Sequence, residues 1–330
     1  MIRRRTAREN RCGPDARRSV TRTVFLGTPA FAVPSLEAVD RLSDRGALEL
    51  VAVVTQPDRA GDRGRLSVPA VKARALAFGV PVLQPARLGE AALREISALR
   101  PELLVWAAYG NRIPRTLLAS VNGRAVNVHA SLLPRWRGAA PIAHAILAGD
   151  AETGVTLMEG TAALDEGPIL AEERTPIGEA ESAGDLTRRL ALLGAGLLER
   201  ELPRYISGEL SGTPQDGATA TLAPKVTSRD GELDFARPAE ELARRVRAFT
   251  PEPGAWTTFR GDRLTLGGAS VSGGSPKEHG ALEIHDGWPE VAAGAGWLRL
   301  DLVRPAGKRT MTGEDWARGL RGIVGARLPS

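Results

Sequence analysis

Asn127 and His129 stand two residues apart in the apolar run AVNVH, and Asp165 follows in ALDEGPIL. Alternate residues of a strand share a face, so an amide donor and an imidazole at this spacing point the same way. The amide can hydrogen-bond an oxyanion while the imidazole exchanges protons. A carboxylate nearby can orient that ring and favour its charged form. Taken alone, N-x-H is more often a polar cap on a strand end, and His144, on an apolar helix, reads as structural. Cys12 is the only cysteine and the four histidines are scattered, which leaves no internal disulfide and no metal cluster to expect.

From Thr23 onward, short apolar runs alternate with helical stretches, the pattern of βαβ units on a largely parallel sheet. TVFLG (23–27), LELVAVVT (48–55), LLVWAA (103–108), AVNVH (125–129) and GVTLM (154–158) read as strands. Val33, Leu36, Val39 and Leu42 recur at helical spacing, and further helices are expected near 70–78, 90–99, 140–148 and 182–207. The expected fold is α/β, a doubly wound domain over 23–207. Such domains bind ligands beyond the carboxyl ends of their strands, where Asn127 and His129 fall. GTPAFAVPS (27–35) lacks the glycine spacing of a dinucleotide turn, and no phosphate-binding loop of the G-x-x-x-x-G-K type occurs.

GELSGTPQDGATATLAPK (208–225), ending at Lys225, reads as a linker. A helix near 238–248 and short β-like runs between glycine-rich turns then predict a smaller β-rich domain over 226–330, a barrel of the OB type. Residues 1–22 are arginine-rich with no apolar segment, which excludes a secretory signal and predicts a disordered basic extension that an over-early start assignment would explain. No run of eighteen uncharged apolar residues occurs, so a membrane-spanning helix is excluded. The net charge of +5 and pI near 9.9 suit a polyanionic partner, although an arginine-favouring genome produces the same balance.

The longer string N-x-H-x-S-L-L-P-x-x-R-G, with L-D-x-G downstream, is far more specific than its parts. It resembles the folate-dependent formyltransferase family. The resemblance implies that Asn127, His129 and Asp165 are catalytic, that Ser131, Leu132, Leu133 and Pro134 line the folate site, and that 10-formyltetrahydrofolate is the formyl donor, with no metal. Ala130, Glu166 and Pro168 depart from the pattern H-G-S and L-D-T-G-D without touching the three catalytic positions.

Members of the family differ in the amine they formylate. PRWRGAAPI (134–142), FLGTPAFAVPSLEAV (25–39), TQPDRAGDRGRLSVPAVK (55–72), RAFTPEPGAW (247–256) and RPAGKRTMTGED (304–315) are similar to the members that act on aminoacyl-tRNA. The resemblance therefore implies initiator methionyl-tRNA as the acceptor in translation initiation, and a cytoplasmic, monomeric protein. Arg59, Arg63 and Arg65 form a basic finger suited to phosphates or guanine edges. Lys225, Arg244, Arg247 and Lys308 are the other expected tRNA contacts, each of which is also compatible with a solvated surface. A sugar-nucleotide or other small amine remains the alternative acceptor.

Overall fold

The computed structural model describes residues 20–60, 66–276, 278–320 and 326–329. Of the expected basic extension, residues 1–19 lie outside the described residues. The chain enters the fold a little earlier than the apolar pattern indicates, since Arg22 opens the first strand and the Thr21 carbonyl accepts from Glu49 N at 2.9 Å.

The elements of the first half run β1 (Arg22–Gly27), α1 (Val33–Asp44), β2 (Glu49–Val54), β3 (Arg59–Ala60), β4 (Leu66–Ser67), α2 (Ala70–Phe78), β5 (Val82–Leu83), α3 (Glu90–Ala98) and β6 (Leu103–Ala107). They continue as α4 (Arg115–Ser120), β7 (Ala125–His129), β8 (Arg137–Gly138), α5 (Pro141–Ala148), β9 (Glu152–Glu159), β10 (Ile169–Pro176) and α6 (Ala183–Ser207). Seven strands form one sheet in the order β10-β9-β7-β6-β1-β2-β5. The pairs among β5, β2, β1, β6 and β7 are parallel, whereas β9 and β10 join antiparallel. Phe25 faces one hydrophobic core while Val24 and Leu26 face the other. Burial of both faces is what near-continuous apolar strands dictate.

Strand order reverses between β1 and β6, so a crevice opens at their carboxyl ends, next to the end of β7. Helix α6 closes the sheet from behind. Ser182 and Asp185 cap its start reciprocally, and a Cβ at Gly194 would come within 2.8 Å of Val128, so the helix backbone lies directly against β7. Gly196 on the same helix meets nothing within 4 Å of its would-be Cβ. Gly196→Ala is therefore expected to raise stability by about 1 kcal/mol from helix propensity alone, read as a higher midpoint in denaturant unfolding at unchanged slope.

Strand β10 is absent from the sequence expectation for a physical reason. Of ILAEERTP only Leu170 is buried, and the strand presents Arg174 to Glu152 (2.8 Å) and Glu173 to Arg200 (2.9 Å), so it shows no apolar alternation.

The stretch read as a linker is more than a tether. Its strand β11 (Leu222–Ala223) pairs parallel with β8, and Thr213 exchanges backbone hydrogen bonds with Ile169. Beyond it come α7 (Ala239–Phe249), β12 (Ala255–Phe259), β13 (Asp262–Ser272), β14 (Leu282–His285), β15 (Trp288–Ala292), β16 (Trp297–Pro305), β17 (Met311–Thr312) and α8 (Gly313–Gly319). The strands form an antiparallel, barrel-like sheet in the order β12-β13-β16-β15-β14, with β17 added on β16. Register shifts at Leu266 to Ala269 bend β13 around Leu264, Leu298 and Val303. Pro289 lies within β15 and masks it in the sequence, because proline ordinarily argues against a paired strand.

Candidate active site

Asn127 and His129 project from the end of β7, both more than nine-tenths buried. Asp165 reaches them from the loop between β9 and β10. Its carboxylate accepts from the backbone amide of Gly138 (2.9 Å) and from Asn127 Nδ2 (3.4 Å), and Oδ2 lies 3.7 Å from His129 Nδ1. The other imidazole nitrogen, Nε2, lies 3.0 Å from the Trp136 carbonyl. A carbonyl only accepts, so the bond assigns a proton to Nε2 and leaves Nδ1, on the Asp165 side, as the nitrogen able to accept one.

The two turns that carry these partners are held by close packing. Trp136 has φ +63°, and its ring is fixed by Nε1 donating to Asp150 Oδ2 at 2.7 Å. Arg135 binds the same carboxylate through two nitrogens and covers the indole at 4.3 Å. Hydrogen bonding to Asp150 holds the Arg135 guanidinium above its usual range. Gly138 has φ +126°, and a Cβ there would meet the Ala223 carbonyl at 2.6 Å, so the glycine of R-G is required by the β8–β11 pairing.

Ser131 to Pro134 form the turn between β7 and β8. Ser131 is fully buried and spends its hydroxyl on the Arg135 carbonyl (2.6 Å), while Thr156 bridges the Ser131 carbonyl (2.7 Å) and the Leu133 amide (3.0 Å). Leu133 is buried and Leu132 packs towards Gly154. The four residues fold the turn that delivers the Trp136 carbonyl to His129.

The cavity in front of Asn127, His129 and Asp165 measures about 940 Å³. Its walls include Phe31, Trp106, Tyr109, Pro141 and Ile142, with Asn111 and Arg112 among the polar groups. The segment after β6 is the part that sequence reasoning missed, although a strand end at the reversal of strand order was the signal that pointed to it. Tyr109 is buried, which pushes its phenol up, and Arg112 donates twice to the Ala162 carbonyl across the mouth (2.8 and 3.1 Å). A cavity of this size, mostly apolar with a few convergent polar groups, is of the kind that takes a small organic ligand. Among the described residues no cluster able to hold a metal ion occurs.

The expected basic residues that the structure describes divide among four places. Lys225 lies on the wall of the cavity in front of Asn127, His129 and Asp165, which the second domain completes with Ala248, Glu252 and Pro253. Lys308 lines a separate cleft of about 530 Å³ with Arg263, Arg304, Ser228 and Pro253, so Pro253 borders both spaces. Arg244 and Arg247, by contrast, sit at the contact between domains. Arg247 points its guanidinium at the carbonyls of Gly178 and Glu181 (3.4 and 3.3 Å), where burial lowers its basicity, and Arg244 packs within 3.7 Å of the Cβ position of Gly149. Arg59 is exposed on β3, and Arg63 and Arg65 lie outside the described residues.

Comparison with known proteins bears on both halves. Residues 21–202 match the formyl transferase family and residues 225–321 match the formyl transferase C-terminal domain. A methionyl-tRNA formyltransferase of Halorhodospira halophila is 45% identical over 92% of this chain and 98% of its own length. One from Myxococcus xanthus is 46% identical over 90% and 95% respectively. Among solved structures, an N-formyltransferase of Helicobacter canadensis in complex with folinic acid and dTDP-3-aminofucose superposes with a TM-score of 0.65 at 17% identity, over 85% of this chain and 98% of that one. HypX of Aquifex aeolicus, in complex with tetrahydrofolic acid, superposes at 0.62 and 18% identity, over 93% and 48%. At these identities the two structures show a shared fold.

Proposed function

The chain belongs to the methionyl-tRNA formyltransferase family, and on that premise we propose that it moves the formyl group of 10-formyltetrahydrofolate onto the amino group of methionyl initiator tRNA. The observation that carries the reading is the convergence of Asn127, His129 and Asp165 in one cavity, in a chain that matches such enzymes at 45% identity over both domains.

When bound, the folate supplies the formyl carbon, and the amine of the acceptor forms the new C–N bond as the bond to the folate nitrogen breaks. One proton must pass from the attacking amine to that leaving nitrogen. Asn127 offers an amide N–H to the formyl oxygen, where charge develops, a contribution of about 3 kcal/mol for one well-placed donor. His129 Nδ1 and Asp165 Oδ2 face each other at 3.7 Å and flank the route of the proton. The carbonyl of Trp136 keeps the ring from turning. We assign 23–207 to catalysis and 226–330 to tRNA, with Ser131 to Pro134 acting on the folate site through the turn they build. A monomer in the cytoplasm completes the reading, and among the described residues no helix is long and apolar enough to cross a membrane.

Lys308, with Arg263 and Arg304 beside it, is assigned to the tRNA backbone along with Arg59, Arg63, Arg65 and Lys225, and Arg244 and Arg247 to holding the domains together. Affinity for the tRNA is then expected to fall steeply with salt, and Lys308→Gln to reduce the slope of log affinity against log salt by about 1 while weakening binding alike for different sequences. Equilibrium binding across a salt series measures both. A flat salt dependence, together with formylation of a sugar nucleotide, would replace the tRNA reading by the small-amine one.

A further inference from the structure

Gln215 lies in the segment between the domains, and every polar atom of its amide is engaged. Nε2 donates to the carbonyls of Asp165 (2.9 Å) and Gly167 (2.7 Å), while Oε1 accepts from Arg137 Nε (3.0 Å) and Nη2 (2.7 Å). One side chain therefore ties the loop that carries Asp165 to the turn whose next residue, Gly138, donates its amide to the Asp165 carboxylate. Asp165 adopts φ +51°, a left-handed conformation that is unfavourable for a residue with a Cβ and persists only where the surroundings hold it. The two N–H groups of Gln215 grip the carbonyls of that residue and of the next but one.

We propose that Gln215 is a positioning residue for Asp165, holding its carboxylate against Gly138, Asn127 and His129 during formyl transfer; the proposal rests on the function given above. It also explains why the interdomain segment folds back onto the first domain. The segment supplies the amide that fixes the catalytic loop.

The alternative role, a tether through Arg137, is separable by chemistry. Gln215→Glu keeps an oxygen for Arg137 and adds a charge that strengthens that pair, yet it removes both N–H donors and turns lone pairs towards the two carbonyls. Gln215→Met removes all four bonds at similar length without adding charge. Steady-state formyl transfer to methionyl initiator tRNA, with the full chain, compares both with the parent. The expected result is a kcat lower by on the order of 10- to 100-fold in each, with KM for tRNA within about twofold, because misplacing a reacting group by about 1 Å costs as much as 100-fold. Parental kcat in Gln215→Glu, or a loss confined to KM in both variants, would overturn the proposal while leaving the functional reading intact. Absence of transfer by the parent itself would overturn the functional reading and this proposal with it.

Discussion

His129→Ala is expected to lower kcat for formyl transfer by on the order of 1,000-fold while the protein stays folded. The imidazole has the one nitrogen in the cluster placed both to exchange a proton and to face Asp165, at 3.7 Å, and alanine leaves neither function. The structural penalty is small by comparison. His129 is 6% exposed, and its removal leaves the Trp136 carbonyl without its donor, which costs about 1 to 3 kcal/mol. At roughly 2–4 °C for each kcal/mol, the scaling for domains of about 150–250 residues, such a loss lowers Tm by about 2 to 12 °C, which leaves the protein folded at assay temperature. Rapid-quench single turnovers beside a thermal melt separate the two effects. A variant within tenfold of the parent would show that the histidine holds a turn and does no chemistry.

Gly167→Ala is expected to lower kcat on the order of 100-fold and to lower Tm as well. A Cβ at Gly167 would stand 1.8 Å from the Glu159 carbonyl oxygen, a backbone atom that cannot rotate away. The same stretch is closed by Glu159 N donating to the Pro168 carbonyl at 2.8 Å, so relief of the overlap must displace the loop that begins at Asp165. Gly196→Ala is the matched control, since it adds the same atom in open space. Parental kcat in Gly167→Ala would mean that the Asp165 loop tolerates displacement and that the carboxylate position is not critical. Two independent lesions thus converge on one carboxylate: Gly167→Ala moves its loop sterically, and loss of the Gln215 amide releases it.

The sequence made the strands legible where apolar residues ran nearly continuously, as at β1, β2 and β6, because burial of both faces leaves little polar interruption. It concealed β10, whose charged side chains are paired along an edge, and β15, which accommodates Pro289. Asn127, His129 and Asp165, which the structure brings together, were singled out by the long string around them and not by the N-x-H spacing alone. Their supports were not. The Trp136 carbonyl, the Gly138 amide and the Gln215 side chain act through backbone turns and long-range contacts that spacing does not encode. Basic residues read equally as phosphate contacts or solvated charge in one dimension. Only packing separates Arg247, aimed at two carbonyls between the domains, from Lys308 in an open basic cleft. The glycine- and threonine-rich composition of 208–225 likewise suggested a free linker, because it hides the one glutamine whose four hydrogen bonds fold it back.

The most direct test of the central claim is transfer of label from 10-formyltetrahydrofolate to methionyl initiator tRNA by the purified protein, beside elongator methionyl-tRNA and the His129→Ala variant. Label appearing on the initiator, absent from the elongator and lost in the variant is the predicted result. Turnover of the labelled folate with no label on either tRNA, and transfer to a small amine instead, would contradict it.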